Sequence, residues 1–264
     1  MPPLTFLKLG GSLLTDKKAA ETVRPDVLAR IASEIAAARA VQPELQLLIG
    51  HGSGSFGHVA AARYGTPAGV QGAAAWAGFA DVSGAAARLN RIVGDALLAA
   101  GVPALSLQPS ASAICEDGEL VELATAPVEA ALVGGLVPLL YGDVAFDRVR
   151  GGTIVSTEQV LAFLARRLPP QWLLLAGDTE GVLDQDGAVI PHIHRGNFQA
   201  IAPLLGGSRG TDVTGGMAGK VRAMVALAAA LPGVRIRIIS GLVPGRLHSA
   251  LHDAAQVTGT EIGI

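Results

Sequence analysis

A chain of 264 residues can hold one large α/β domain or two small ones and bury a substantial core in either case. Half of its residues are hydrophobic and 16% are charged, which argues against disorder; 20 basic against 22 acidic side chains leave a net charge of −2 and no global field toward nucleic acid or membrane. The lone cysteine, Cys115, rules out an intrachain disulfide and a thiolate zinc cluster, and residues 1–12 lack the pattern of a signal peptide, so a soluble cytoplasmic protein is expected.

The first buried-strand candidate is LTFLKL (4–9), which carries Lys8 at its end and opens into Gly10-Gly11-Ser12. A helix follows Pro25, with Leu28, Ile31 and Ile35 on one face. LQLLI (45–49) then runs into His51-Gly52-Ser53-Gly54-Ser55-Phe56-Gly57-His58 and a helix-compatible segment. A glycine loop between strand and helix suits an anion: missing side chains let N–H groups approach, and the helix N-terminus adds partial positive charge. His58 stands where a second, switchable donor could reach the same anion.

Two standard patterns nearly fit this loop. Gly52-x-Gly54-x-x-Gly57 has the dinucleotide spacing, but residues 61–78 supply neither the second strand nor the acid that a Rossmann unit needs. Gly52 and Gly57 have P-loop spacing, but His58 and Val59 stand where Lys and Ser/Thr are required. A plain glycine turn between strand and helix stays open.

Further along, helices are expected at 83–100, 158–167, 216–231 and around 246–252, and strands at 103–107, 136–141, 172–176 and 236–240. VELATAP (121–127) and AFDRVRGGTIV (145–155) read as local hairpins or small additions. The alternation predicts an α/β protein with a central, mainly parallel sheet covered on both faces, a three-layer α/β/α sandwich. A change of role near residue 165 is expected, with both halves sharing one sheet.

Three glycine-bearing segments fall at strand ends or helix starts: Lys8–Ser12, Gly52–His58, and Asp212-Val-Thr-Gly215-Gly216-Met-Ala-Gly-Lys220. Ligands bind at the carboxyl ends of strands in open α/β sheets, so three such loops suit a long polyanion or two phosphate-bearing molecules facing each other. Phosphoryl transfer needs positioned cations and N–H donors more than a nucleophile, and Lys8, Lys17 and Lys220 are candidates. The plainer reading of each is a solvated lysine, and Lys18 competes with Lys17. Other patterns weigh less: Gly206–Gly210 has serine-hydrolase spacing without a clear strand before it, His248 and His252 stand four apart without a third ligand, and Asp143 could line a cleft or cap a hairpin.

KLGGSLLTDK, HGSGSFGH, LYGDV, LAGDTEGV and DVTGGMAGK, in this order over almost the whole chain, resemble the amino acid kinase superfamily, and within it the isopentenyl phosphate kinases. The resemblance implies one domain of that fold, with an acceptor-binding lobe over about 1–165 and a nucleotide-binding lobe over about 166–264. It implies ATP, with Mg²⁺ carried on it and no metal held by the protein, a small alkyl phosphate as acceptor, and a homodimer. Lys8, Gly10, Gly11 and Ser12 would cradle the transferring phosphates, Lys17 would reach the γ-phosphoryl group, and Lys220 would neutralise the β/γ end. Asp178, Gly181, Val182, Gly215 and Gly216 would hold the nucleotide. Ser53, Gly54, Gly57 and His58 would hold the acceptor phosphate, Gly54 lying between the two ligands.

One segment departs from that pattern. Val155-Ser156-Thr157-Glu158-Gln159 stands where the family commonly reads Ile-Ser-Gly-Asp, so Glu158 would orient Lys8 and Lys220, and Thr157 would offer the acceptor a hydroxyl or crowd it. Val59, Phe79, Val82 and Ala86 suit the wall of an apolar acceptor pocket, with ordinary core the plainer reading of any one. A fosfomycin-type phosphonate kinase or a kinase of other small alkyl phosphates shares the same residues; a nucleotide or phosphate sensor without turnover is the alternative of another class.

Overall fold

The computed structural model describes residues 3–16, 19–205 and 216–263, without the side chains of His58, Val59 and Leu204. Its strands are β1 (Leu4–Leu9), β2 (Gln46–His51), β3 (Ala104–Ser106), β4 (Ile114–Glu116), β5 (Glu119–Glu122), β6 (Val137–Tyr141), β7 (Asp143–Asp147), β8 (Gly151–Val155), β9 (Trp172–Gly177), β10 (His192–His194), β11 (Arg235–Ser240) and β12 (Thr260–Gly263). The helices are α1 (Gly11–Leu14), α2 (Pro25–Val41), α3 (Gly54–Tyr64), α4 (Gly72–Ala99), α5 (Ala126–Val133), α6 (Thr157–Arg167), α7 (Arg195–Ile201), α8 (Gly216–Ala230) and α9 (Arg246–His252). Among the described residues no helix is long and apolar enough to cross a membrane.

Eight strands form the central sheet in the order β10-β12-β11-β9-β1-β2-β6-β3. The run from β11 to β3 is parallel throughout; β12 is antiparallel to β11, and β10 runs with β12. The pairing of β1 with β9 joins the two halves of the chain in one sheet, as the alternation of elements implies. Strand order jumps at β1, with β9 on one side and β2 on the other, and a crevice at the carboxyl ends lies where such a sheet binds ligands.

Side-chain alternation decides what each helix layer covers. Leu7 and Leu9 of β1, Leu47 and Ile49 of β2, and Leu174 and Ala176 of β9 pack with Leu28, Ile31 and Ile35 of α2, Leu89 and Val93 of α4, and Leu247 and Leu251 of α9. Phe6, Leu48, Leu173 and Leu175 face the other way, onto Val160, Leu161 and Leu164 of α6 and Val221, Met224 and Val225 of α8. Lys8 shares the parity of Phe6, so its side chain leaves the sheet on the α6 and α8 side.

Two expectations change. The segments at 121–127 and 145–155 contribute to a separate four-stranded sheet, β5-β4-β7-β8. β7 and β8 are a true hairpin, but 121–127 holds only the end of β5, the return arm of a hairpin whose outgoing arm, β4, is three residues long. Helix α4 begins at Gly72, well before 83, because its alanine-rich first turns carry strong helix propensity without a regular apolar stripe. Gly78 in that early part is required by packing: a Cβ there would sit 2.3 Å from the Tyr64 ring.

Asp147 knots the small sheet together. It is 5% exposed and accepts from the backbone N–H groups of Asp117 (3.2 Å), Gly118 (2.7 Å), Val149 (2.9 Å) and Arg150 (2.8 Å), tying the turn after β4 to the turn after β7. Burial opposes its charge, and these four donors reverse that effect and hold its carboxyl below the ordinary carboxylate range. Gln159 Nε2 donates to Gly118 O at 3.0 Å, joining this knot to the start of α6. Asp147→Ala is expected to destabilise the chain by about 2–4 kcal/mol in urea unfolding, and Asp147→Asn by less, since its one remaining acceptor oxygen serves some of the donors.

Candidate active site

Two glycine loops meet at the carboxyl ends of β1 and β2. A Cβ at Gly11 would lie 2.4 Å from Gly54 N, and one at Gly54 would lie 2.2 Å from Thr15 Oγ1 and 2.7 Å from Gly11 O. Gly54 also has φ +51°, in the left-handed region that favours glycine. The backbones can touch only because both residues lack side chains. Thr15 stitches the contact, donating to Gly11 O at 2.8 Å and accepting from Ser55 N at 2.9 Å. The N–H groups of Gly52, Phe56 and Gly57 are bound to Leu9 O and Ser53 O, and that of Ser55 to Thr15, so Ser53 and Gly54 carry the remaining donors at the start of the loop.

Across the sheet edge stands a charged triad. Lys8 Nζ lies 2.5 Å from Glu158 Oε1, and Lys220 Nζ lies 3.8 Å from the same oxygen. Lys8 comes from the end of β1, Glu158 from the first turn of α6, and Lys220 from the first turns of α8. Helix α6 starts where it does because Ser156 and Gln159 form a capping box: Ser156 Oγ accepts from Gln159 N at 3.1 Å, and Gln159 Oε1 from Ser156 N at 2.9 Å. That start projects Glu158 toward the strand ends, at a helix terminus whose partial positive charge favours a carboxylate. Burial alone would push the Glu158 carboxyl up; attraction to Lys8, then to Lys220, outweighs it and holds the carboxyl at about 2. Two ammonium groups and one carboxylate leave one net positive charge, fixed in place before an anion arrives.

The remaining candidates divide by position. Gly10, Gly11 and Ser12 are partly exposed around the start of α1, and Gly216 opens α8 with φ +64°. Asp178 is exposed just past β9, whereas Val182 is a fully buried core residue whose N–H donates to Thr260 Oγ1 at 2.8 Å. Gly181 is fixed by the same threonine, since a Cβ there would lie 2.7 Å from Thr260 Oγ1. The Val182 carbonyl accepts from Ile190 N at 2.8 Å, so Val182, fully buried with both backbone groups bound, is core and not the nucleotide contact expected of it. Lys17, Gly215 and the Gly206–Gly210 pattern lie outside the described residues; His58 begins the second turn of α3, with its side chain outside the description.

Thr157 is turned inward, which corrects the expectation of a direct acceptor contact. It is 2% exposed, and its hydroxyl donates to the His51 carbonyl at 2.7 Å. Its methyl packs where a Cβ on Gly50 would come within 2.7 Å. Phe79, Val82 and Ala86 lie on the buried face of α4; Phe79 and Val82 join Ala61, Val70 and Val144 in a small apolar cluster of their own. Asp143 is a buried hairpin carboxylate, accepting from Ser83 Oγ at 2.9 Å, Val144 N at 2.8 Å and Ser110 N at 3.3 Å. His252 meets Gln42 at 3.0 Å, and among the described residues no group of three or more His, Cys, Asp or Glu side chains is arranged to hold a metal.

Sequence reasoning missed two features. The capping box was readable as Ser156-x-x-Gln159 ahead of an apolar run. His51 stands at the end of an apolar strand and is fully buried, with its ring stacked on Tyr141 and hydrogen-bonded to Asn90. A histidine placed between an apolar strand and a glycine loop was the available signal.

Comparison with known proteins agrees along the whole chain. Residues 3–240 match the model of the Amino acid kinase family. The chain is 36% identical to the isopentenyl phosphate kinase of Methanothermobacter thermautotrophicus over 98% of each chain. It is 44% identical to that of Haloferax volcanii over 86% of this chain and 89% of the other. X-ray structures of isopentenyl phosphate kinase superpose with a TM-score of 0.82 at 32% identity, covering 98% of this chain and 99% of theirs.

The charge on Glu158 has a pH signature. Its folded value of about 2 lies below the ordinary 4.5, so its stabilisation is fully present above about pH 4.5 and is lost as pH falls toward 2. Glu158→Gln is expected to be less stable than the parent at neutral pH, by up to about 3 kcal/mol, with the gap closing on acidification through that window. Urea unfolding at a series of pH values measures it; a gap that does not change with pH would mean that the ionised carboxylate is not the source.

Proposed function

Because the chain belongs to the amino acid kinase family, we propose that it transfers the γ-phosphoryl group of Mg·ATP to isopentenyl phosphate, giving isopentenyl diphosphate and ADP. The observation that carries this reading is the Lys8–Glu158–Lys220 triad beside two interlocked glycine loops. Kinases named for this acceptor align with the chain over nearly its full length. That likeness favours an alkyl phosphate over a phosphonate as acceptor, and an enzyme over a non-catalytic sensor.

In this reading an oxygen of the acceptor phosphate attacks the γ-phosphorus in line as the bond to the β-phosphate oxygen breaks, and ADP leaves with that electron pair. An acceptor phosphate is already largely ionised near neutral pH, so no general base is required. Lys8 and the N–H groups of Gly11 and Ser12 hold the migrating phosphoryl group beside Gly10, whose own N–H is bound to Ala176 O; Lys17 reaches the same group, and Lys220 meets the charge growing on the leaving side. Glu158 keeps the two lysines apart and aimed without entering the reaction. Ser53, Gly54 and His58 hold the acceptor phosphate, and Gly57, whose N–H is bound to Ser53 O, closes the loop behind them. Asp178 and the backbone of Gly181, Gly215 and Gly216 hold the nucleotide, and Mg²⁺ arrives bound to its phosphates.

The same reading assigns the first part of the chain, to about residue 165, to the acceptor and the remainder to the nucleotide. It includes a cytoplasmic homodimer, for which the short edge strand β3, with Leu105 41% exposed, offers a surface.

An ADP-release assay with Mg·ATP tests the proposal. Isopentenyl phosphate is expected to be the preferred acceptor over dimethylallyl phosphate, fosfomycin and amino acids. His58→Ala should lower turnover at least about a hundredfold while calorimetric ATP binding survives. Lys220→Ala should raise the KM for Mg·ATP and lower kcat together. Turnover of fosfomycin alone would move the protein to the phosphonate branch, and silence on every acceptor would favour the sensor.

A further inference from the structure

The last two residues of β2 face opposite sides of the sheet. Gly50 looks toward α6 and Thr157, and His51 looks toward α4. His51 is fully buried, its ring stacked on Tyr141 with centroids 5.6 Å apart and planes 11° from parallel. Its Nε2 lies 3.1 Å from Asn90 Nδ2 and its Nδ1 lies 3.1 Å from the carbonyl oxygen of Gly52. Asn90, 3% exposed, accepts through Oδ1 from Ser106 Oγ on the edge strand. Burial holds the imidazole pKa down at about 4, against the weaker upward pull of its bond to Gly52, so the ring is neutral near physiological pH. The network then assigns the proton to Nδ1, which donates to Gly52 O, and leaves Nε2 to accept from the Asn90 amide.

This arrangement reaches the acceptor loop through one rigid unit. Gly52 C=O and Ser53 N–H belong to the same trans peptide plane and point in opposite directions. A bond that draws the Gly52 carbonyl inward therefore turns the Ser53 N–H outward. The preceding peptide is held too: the His51 carbonyl accepts from Thr157 Oγ1 at 2.7 Å and from Gly142 N at 3.2 Å, and Gly52 N donates to Leu9 O at 3.0 Å. Glycine at 52 has no side chain of its own to restrict its rotation, so the imidazole supplies that restriction.

We propose that His51 is a positioning residue for the acceptor phosphate: by fixing the Gly52–Ser53 peptide plane it aims the Ser53 N–H at the acceptor. The inference rests on the reading that this loop holds the acceptor phosphate. Thr157 acts on the same loop from the opposite face, through the His51 carbonyl.

Two substitutions separate the contacts of the ring. In His51→Asn the amide nitrogen takes the place of Nδ1 and keeps the bond to Gly52 O; in His51→Gln the amide oxygen takes the place of Nε2, accepts from the Asn90 amide and leaves Gly52 O without its donor. Both are polar and both lose the stacking on Tyr141, so a purely structural role predicts similar effects from each. The readouts are the KM values for isopentenyl phosphate and for Mg·ATP, calorimetric binding of isopentenyl phosphate without nucleotide, and the melting temperature.

His51→Gln is expected to weaken the acceptor at least about tenfold with the Mg·ATP KM within about twofold, and His51→Asn to stay within about threefold of the parent for both. Equal losses in the two variants, parallel changes in both KM values, or full acceptor affinity in His51→Gln would each reduce His51 to core packing. A parent protein that binds isopentenyl phosphate without turning it over would sink the proposed reaction while the binding comparison still decides the role of His51; a parent that does not bind it overturns both.

Discussion

A buried ammonium group needs a partner, and Lys8 has one because α6 begins where it does. Lys8 is 6% exposed at the end of an otherwise apolar strand, a position at which an uncompensated charge would be strongly destabilising. Glu158 removes that penalty for Lys8 and, through the same oxygen, sets the position of Lys220 on a third element. The strand, the helix behind it and α8 are thereby held in register by one carboxylate. The price of this arrangement is a desolvated anion, and it is tolerable because two cations and a helix N-terminus surround it.

The glycines of the first two loops carry a structural and a chemical reason at once, and the two are not rivals. Gly11 and Gly54 are glycine because their backbones press against each other, a reason that holds with no ligand in view. The same contact keeps side chains out of the space between the ends of β1 and β2. Positive charge is supplied locally, by lysines placed through strand parity and helix starts, and the global balance need not favour anions at all.

Periodicity made the central sheet legible: six of its strands were apolar runs that only a doubly covered sheet could bury. The parts that escaped are those whose cause is tertiary. β4, β10 and β12 are three or four residues long and carry no pattern of their own. The small second sheet depends on Asp147 gathering N–H groups from two separate turns, which no local window contains. In the site, Lys8, Glu158 and Lys220 were legible as residue types beside glycines, but their meeting required the parity of β1 and the cap of α6. Thr157 misled because it stands where the family pattern has a glycine near the acceptor, while helical geometry sends neighbouring side chains in different directions: Glu158 to the strand ends, Thr157 beneath β2.

Strand alternation at the end of β2 also explains how one loop can answer to both layers. Gly50 leaves room for Thr157 from the α6 side, and His51 reaches Asn90 on the α4 side, so consecutive residues bring the two helix layers against the same short stretch of backbone. Each layer then holds one carbonyl, that of His51 from the α6 side and that of Gly52 from the α4 side. Neither hold would be secure alone, because a glycine-rich segment can rotate about a single fixed peptide. Two successive planes fixed from opposite faces leave it little freedom. In the proposed reaction the acceptor phosphate must lie in line with the bond that breaks, and an error of about 1 Å in its position is costly. A loop clamped from both layers meets that requirement where an unclamped glycine turn of the same sequence would not.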